Sequence, residues 1–329
     1  MSAFFFKALL ISTVSFFVTL YLVPLFYKIA FKWKILDVPD GNLKTHRLPT
    51  PYLGGVSLWL GFLVATSLVL PFENQLFLYI IASTLLLFVG LLDDLISLTP
   101  AQKIVGQFIA TLCYLKAGFY LKISFFSSSW NIFISAFWFL LIINAFNLID
   151  VMDGLATFVA LITSLIFLLY SLFLGQNNLS LLLLSFIGSL LAFLLFNKPP
   201  AKIYLGDAGS LFIGGVIASI PFSLSWSEYN SFGFIIPLIL CAIPLIEIGT
   251  LICVRTYKRY PFFLGSPDHF SIYLQERGWS KVAILFYCFI VTVALGICSF
   301  LFFLSCINVA AFFSVGFLLL FTWFFLLLA

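Results

Sequence analysis

Long apolar runs separated by short polar breaks dominate the chain from end to end. A membrane-spanning helix needs about 20 consecutive, predominantly apolar residues, and eleven runs approach that length. They cover residues 4–26, 55–72, 76–92, 104–121, 131–148, 155–174, 179–196, 210–226, 231–254, 282–304 and 307–328. The pattern predicts an all-α polytopic integral membrane protein with about 11 transmembrane helices.

Composition supports helices rather than a membrane β-barrel. The runs lack the alternation of polar and apolar residues that marks a barrel, so backbone groups in hydrocarbon must be satisfied within helices. The 329 residues are 63% hydrophobic and 9% charged, against about 25% charged in soluble domains. The six cysteines show no CxxC spacing, which favours apolar packing residues over a disulfide or metal framework. We expect residues 1–329 to form a single transmembrane domain.

The polar breaks alternate between two faces of the membrane, and charge is concentrated on one of them. The breaks at 27–54, 93–103, 149–154, 197–209 and 255–281 hold 13 of the 16 Lys and Arg residues. Because cytoplasmic loops are enriched in Lys and Arg, we place these five loops in the cytoplasm and the protein in the inner (cytoplasmic) cell membrane. Nine of the 12 acids and both histidines share these loops. This predicts an active site facing the cytoplasm, unless the acids only balance the basic residues.

The third loop combines carboxylates and carboxamides between two apolar runs. Its polar residues are Asn144, Asn147, Asp150 and Asp153. Spacing by three keeps neighbouring members on one helix face, but the row rotates by about 60° at each step. The side chains converge only if the helix ends near Asp150, with Gly154 marking the turn. Ionisable groups in this position are costly, which favours a functional site over simple caps and a turn.

Two loops nearer the N-terminus carry further candidates. Lys44 and His46 lie two residues apart, which in an extended segment puts them on one side, facing either a substrate phosphate or lipid head groups. Asp93 and Asp94 are adjacent at a predicted helix end, where their repulsion favours a bound divalent cation or a proton-bearing substrate. Lys103 follows and would bind phosphate or neutralise the pair.

The fourth and fifth loops add a metal candidate and a cationic cluster. Asp207 lies between two glycines before an apolar run, so it is expected either to hold a metal or to cap the helix. The fifth loop surrounds Asp268 and His269 with cations, a composition suited to a pyrophosphate or to a membrane surface. These cations are Arg255, Lys258, Arg259 and Arg277. Glu247, inside the ninth run, is expected to pair with a loop residue or to support helix packing.

Together, five motifs in register resemble the polyprenyl-phosphate N-acetylhexosamine-1-phosphate transferase family. The resemblance runs in order from Asp37 to Trp279, on the predicted cytoplasmic face. The motifs are K-x-H-x-x-P-x-P-x-x-G-G at Lys44–Gly55, Asp93 and Asp94 with Lys103 and Gln107, N-A-x-N-x-x-D-x-x-D-G-L at Asn144–Leu155, F-N-x-x-P-A-x-I-x-x-G-D-x-G-S at Phe196–Ser210, and the Asp268–His269 loop.

This resemblance implies ten or eleven helices and a Mg²⁺-dependent transfer of an N-acetylhexosamine 1-phosphate from a UDP-sugar to polyprenyl (undecaprenyl) phosphate. UMP would be released, and the lipid product would prime a cell-surface glycan. Asp207 would be a metal ligand with Asn147 beside it, for Mg²⁺ or alternatively Mn²⁺. Asp93 and Asp94 would remove a proton from the lipid phosphate or organise the metal. His269 would be a catalytic residue that contacts the diphosphate. The other residues that would contact the substrates are Lys44, His46, Lys103, Asn144, Asp150, Asp153, Asn197, Tyr204, Arg255 and Asp268.

The chain departs from the family pattern at two places. Val151 stands where the family usually has Gly, and Phe270 and Ser271 replace later histidines of an H-x-H-H motif. The donor sugar stays open between N-acetylglucosamine, which the short first loop favours, and the muramoyl-pentapeptide of peptidoglycan synthesis. A secondary transporter is the rival from another class, although its polar residues would lie near the midplane. Expected partners are the UDP-sugar, the lipid phosphate and membrane lipids, with a homodimer left open and no nucleic acid.

Overall fold

The computed structural model describes residues 2–37, 49–124, 126–261, 265–314 and 316. Its helices are α1 (Ser2–Trp33), α2 (Gly54–Val69), α3 (Asn74–Ile96), α4 (Pro100–Lys116), α5 (Ser128–Ile149), α6 (Leu155–Phe173), α7 (Asn177–Asn197), α8 (Gly206–Ser219), α9 (Ile236–Leu240), α10 (Ala242–Tyr257), α11 (Phe270–Glu276) and α12 (Lys281–Phe303). Short 3₁₀ turns lie at Ile220–Ser223 and Gly233–Ile235, and residues 309–314 are helical. The strands β1 (Leu36–Asp37) and β2 (Thr50–Pro51) pair antiparallel.

The prediction of an all-α, multi-pass membrane protein is confirmed. Within the described ranges, seven helical segments are long and apolar enough to cross a membrane: α1, α3, α5, α6, α7, α12 and α8 with the 3₁₀ turn that follows it. The apolar α2 is shorter, at 16 residues. The ninth run is a bent pair, in which Gly233–Leu240 and Ala242–Tyr257 meet at 68°. The run predicted at 307–328 lies mostly outside the described residues, so the count of eleven stays a prediction.

Helix α8 lies at the centre of the bundle, against α2, α3 and α5. All its residues from Ala208 to Ser219 are buried. Close approach depends on glycines in its neighbours: a Cβ on Gly90 of α3 would lie 2.2 Å from the carbonyl oxygen of Asp207. A Cβ on Gly55 of α2 would likewise lie 2.2 Å from the backbone nitrogen of Gly209. Since both contacts are with backbone, they fix where the first turn of α8 sits.

The ends of six helices gather around that first turn. Polar contacts join the C-terminal ends of α3 and α5 to the N-terminal ends of α4 and α8. The segment between α7 and α8 also contacts the N-terminal ends of α2 and α6. The second, third and fourth predicted loops therefore meet at one end of the bundle.

Candidate active site

Asp94 positions the start of α8. Its two carboxylate oxygens accept hydrogen bonds from the backbone nitrogens of Asp207 at 2.9 Å and Ala208 at 3.1 Å. These amides have no partner inside the helix, and a carboxylate at a helix N-terminus is favoured by the helix dipole. Asp94 therefore holds the backbone that presents Asp207.

Lys103 is the cation around which the predicted carboxylates converge. Its Nζ lies 2.8 Å from Asp93 Oδ2 and forms an ion pair with Asp207. It also donates to Asn147 Oδ1 at 3.1 Å. The Lys103 side chain is 16% exposed and that of Asp93 15%, so the charges attract one another more strongly than a pair at a water-exposed surface. Four residues predicted from three different loops thus form one cluster.

The amide side chains of α5 support this cluster from the other side. Asn147 Nδ2 donates to Asp207 Oδ1 at 2.8 Å and to Ser210 Oγ at 2.9 Å. One turn earlier, Asn144 exchanges hydrogen bonds with Gln107, at 2.7 and 3.2 Å. Both asparagines inside this apolar helix therefore have hydrogen-bond partners. Asn147 orients Asp207, and Asn144 joins α5 to α4.

Helix α5 ends at Ile149, and Asp150 is its C-terminal cap, as the spacing of the polar residues predicted. Gly154 follows with φ of 73° and begins α6, a left-handed conformation that Gly adopts readily. Asp153 lies in this turn and accepts from Lys281 Nζ at 2.9 Å and from the Ala201 nitrogen at 3.3 Å. It thereby joins the start of α12 to the fourth loop.

Asn197 and Tyr204 were both predicted to contact the substrates; Asn197 is the last residue of α7, and Tyr204 lies in the segment between α7 and α8. Asn197 is 2% exposed; its Oδ1 accepts from Thr157 Oγ1 at 2.9 Å and its Nδ2 donates to the Ile203 carbonyl at 3.0 Å. The Tyr204 nitrogen donates to the Pro51 carbonyl, and its carbonyl accepts from the Gly54 nitrogen. Asn197 therefore anchors the loop, and a contact from its amide to a nucleotide would replace one of these bonds.

The fifth loop is held by two charged pairs. Glu247 on α10 pairs with His269 at 2.8 Å, and Lys258 pairs with Asp268. Arg255, buried at the end of α10, donates from Nε to Ser266 Oγ at 2.9 Å. The predicted residues of this loop therefore lie together around the end of α10. Lys44 and His46 of the first loop lie outside the described residues.

The cluster around Lys103 fits a magnesium ion. Among the described residues, no three His, Cys, Asp or Glu side chains form a metal-binding group. Mg²⁺ however commonly takes only one or two carboxylates and completes its octahedral shell with water and substrate phosphate. Asp93, Asp207 and the amide oxygen of Asn147 are hard oxygen donors that already surround one positive charge, the Lys103 ammonium.

Sequence reasoning missed the contact of Lys281 and predicted that of Glu247 only as a pairing with some loop residue or as helix packing. Lys281 was counted only as a basic loop residue, although it pairs with Asp153, 128 residues away. Glu247 was noted inside the ninth run, and the structure shows that its partner is the loop residue His269. An acid within an apolar run was the available signal for Glu247, whereas no local pattern marked Lys281.

Asp150 is expected to reduce the stability of the fold at neutral pH. Burial, followed by the negative charges of Asp207, Asp94 and Asp153, raises the pKa of Asp150 well above its ordinary range. The folded state therefore resists ionisation of this group more than the unfolded chain does. Asp150→Asn should raise the unfolding temperature at neutral pH, measured in detergent with a chelator present, and the gain should vanish below about pH 4.

Asp268→Asn is the matched control, for which we expect the opposite change in unfolding temperature. Burial alone would raise the pKa of Asp268, but hydrogen bonds, the strongest from Lys258, outweigh it and lower the pKa. The ionised carboxylate thus stabilises the fold above its unfolded pKa, and that stability is lost as the pH falls through the folded pKa. The Asn variant should unfold at a lower temperature at neutral pH. Equal shifts for both variants would contradict this assignment.

Comparisons with known proteins show which family the chain resembles. Residues 76–225 match the model of glycosyl transferase family 4. The chain is 29% identical, over 81% of its length and 77% of the relative, to a probable undecaprenyl-phosphate N-acetylglucosaminyl 1-phosphate transferase from Bacillus subtilis. It is 30% identical, over 83% of its length and 88% of the relative, to a phospho-N-acetylmuramoyl-pentapeptide-transferase from Clostridium perfringens. A Streptococcus pneumoniae relative of the latter name is 33% identical over 64% of this chain and 72% of its own length.

Proposed function

This chain belongs to glycosyl transferase family 4, and on that premise we propose that it transfers an N-acetylhexosamine 1-phosphate from a UDP-sugar to polyprenyl phosphate. The cluster of Asp93, Lys103, Asn147 and Asp207 at the first turn of α8 carries the proposal. Carboxylates, an amide and a fixed cation next to a helix N-terminus suit a reaction between phosphate groups. A lipid scaffold without chemistry would not need this arrangement.

The reaction brings two anionic groups together. An oxygen of the lipid phosphate attacks the β-phosphorus of the UDP-sugar, the bond between the β-phosphorus and the bridging oxygen breaks, and UMP leaves with that oxygen. When bound, Mg²⁺ would offset the negative charge of the phosphates. Lys103 supplies a positive charge from the protein. Its ion pair with Asp93, at 2.8 Å, holds the ammonium group at the site. Asp93, whose Oδ1 accepts from the Leu98 nitrogen at 2.7 Å and whose Oδ2 pairs with Lys103, is the group that would accept a proton from the lipid phosphate.

Asp94 has a different role in this proposal. Its two oxygens are occupied by backbone amides of α8, at 2.9 and 3.1 Å. It therefore acts by fixing Asp207, which Asn147 holds from the opposite side. Such fixed orientation lowers the barrier because the reacting groups need not reorganise.

The donor is proposed to be UDP-N-acetylglucosamine, with the muramoyl-pentapeptide donor as the alternative. Relatives of both names match the chain at similar identity. The purified protein should be given undecaprenyl phosphate, Mg²⁺ and UDP-N-acetylglucosamine, UDP-N-acetylgalactosamine or UDP-N-acetylmuramoyl-pentapeptide, with UMP and lipid-linked product measured. UMP release with the first donor supports the assignment. Release only with the pentapeptide donor selects the alternative, and no release with any donor rejects the activity.

We propose that the site faces the cytoplasm of a bacterial inner membrane. Support comes from the excess of Lys and Arg in the loops at this end. After the exposed Cys253 and Cys306 are replaced with Ser, a cysteine at Lys198 should react with an impermeant maleimide only in inverted vesicles. The control is a cysteine at Asn177, at the opposite end of α7, which should react in intact cells. Reaction of the Lys198 position from outside would reverse the proposed orientation.

A further inference from the structure

Glu247 is a buried carboxylate in the second arm of the broken helix. Its side chain is 1% exposed, and Oε1 lies 2.8 Å from His269 Nδ1. Its other oxygen, Oε2, accepts from the Phe270 nitrogen at 3.5 Å. Because a buried carboxylate is costly unless it is paired, this contact stabilises Glu247 inside the protein. Both bonds end on the segment that begins α11.

The groups around this pair come from three elements. Arg255 lies two turns further along α10, and it acts favourably on the Glu247 charge. Cys288 of α12 is a buried thiol close enough to be influenced by Glu247. The side-chain hydrogen bond of the Glu247 carboxylate is the one it forms with His269.

The contact determines which ring nitrogen of His269 is left for a ligand. When Glu247 is ionised its carboxylate only accepts hydrogen bonds, so in that state Nδ1 of His269 carries the proton between them. Nε2 has no hydrogen-bond partner among the described residues, and 6% of the His269 side chain is exposed. Nε2 is therefore the ring nitrogen left for a substrate.

We propose that Glu247 is a positioning residue, which orients His269 so that Nε2 faces the diphosphate of the bound UDP-sugar. This inference rests on the proposed function. Carboxylates that fix the orientation and tautomer of a functional histidine through its other nitrogen are a recurrent arrangement in enzymes. Here the carboxylate belongs to α10, the helix that follows the 68° break. The bend therefore places the orienting carboxylate next to the loop.

The proposal predicts a specific loss in diphosphate recognition. Glu247→Ala and His269→Ala should each weaken binding of UDP about tenfold and lower kcat by about 10- to 100-fold, the range known for loss of an orienting partner. Binding of uridine, which lacks the diphosphate, should stay unchanged. Glu247→Gln keeps the size of the side chain and an acceptor oxygen, so the variant should fold normally. Its UDP affinity and kcat should lie between those of Glu247→Ala and the wild type.

The experiment is titration calorimetry of UDP and uridine with the purified full chain, combined with rate measurements. The double variant Glu247→Ala/His269→Ala should bind UDP no more weakly than His269→Ala alone, because the two residues act as one unit. Thr250→Val, on the same helix and bonded only to the Glu247 backbone carbonyl among described residues, is the control and should behave as the wild type.

Two results would overturn the proposal: equal weakening of UDP and uridine in Glu247→Gln, or additive losses in the double variant. Either would make Glu247 a general structural residue. Wild-type protein that binds UDP but transfers no sugar phosphate would reject the proposed transfer but not the UDP site, and the variants would still decide whether Glu247 orients His269 there. Wild-type protein that does not bind UDP would reject both.

Discussion

Asp207→Asn is expected to reduce sugar-phosphate transfer by about 10³-fold or more, since it removes the negative charge that we propose holds a magnesium ion against the substrate phosphates. Asp207 contacts two other members of the cluster. One of its carboxylate oxygens pairs with Lys103, and the other accepts a hydrogen bond from Asn147 at 2.8 Å. The substitution keeps the shape and an acceptor oxygen. It leaves Lys103 with one carboxylate partner, Asp93. Loss of activity should therefore exceed any loss of stability.

This prediction is measured as UMP release across a range of Mg²⁺ concentrations, with thermal unfolding recorded for the same samples. Glu228→Gln, the same carboxyl-to-amide change at an exposed position in the segment between α8 and α9, should keep the wild-type rate. The expected result is a folded Asp207→Asn protein that Mg²⁺ does not rescue. A variant that turns over like the wild type would remove Asp207 from the reaction.

Gly90→Ala is expected to destabilise the protein by about 1–3 kcal/mol through overpacking and to lower kcat by about 10²-fold through misplacement of the site. A Cβ at this position would lie 2.2 Å from the Asp207 carbonyl oxygen and 2.4 Å from the Ala208 nitrogen. Both atoms are backbone, so no side-chain rotation relieves the clash. The first turn of α8 must move, and the two bonds from its amides to Asp94 are strained or lost.

The control is Gly249→Ala in α10, where an added Cβ would meet no atom of the described residues within 4 Å. Ala is favoured over Gly inside a helix by about 0.8–1.0 kcal/mol, so this variant should be as stable as the wild type or more stable. Unfolding temperature and kcat measured on all three proteins give the comparison. If Gly90→Ala matched Gly249→Ala in both quantities, the contact of α3 with α8 would have no part in placing Asp207.

The local sequence pattern was sufficient to predict much of this architecture. The apolar runs predicted the helices because a bilayer requires about 20 apolar residues in each span. The three-residue spacing from Asn144 to Asp153 predicted the end of α5, which lies at Ile149 with Gly154 beginning the next turn. These features depend on residues near one another in sequence, for which helix geometry leaves few solutions.

Other features depended on contacts that local pattern does not contain. The ninth run is apolar from Phe232 to Ile246, yet it bends by 68° at Cys241. Pro244, which has no N–H to donate to Leu240, was the available signal. Helix α8 begins at Gly206 rather than at Ser210, because Asp94 binds its first amides from another helix. The pairing of Lys281 with Asp153 joins residues 128 positions apart, and only the assembled bundle brings them together.

The proposed activity is tested most directly by following the β-phosphorus of the donor. UDP-N-acetylglucosamine labelled with ³²P at the β-phosphate should be incubated with the purified protein, undecaprenyl phosphate and Mg²⁺, and the label separated into lipid and aqueous fractions. Transfer of a sugar 1-phosphate predicts label in the lipid fraction and unlabelled UMP in water. Label that leaves as UDP, with unlabelled sugar on the lipid, would show cleavage of the sugar–oxygen bond and would contradict the account.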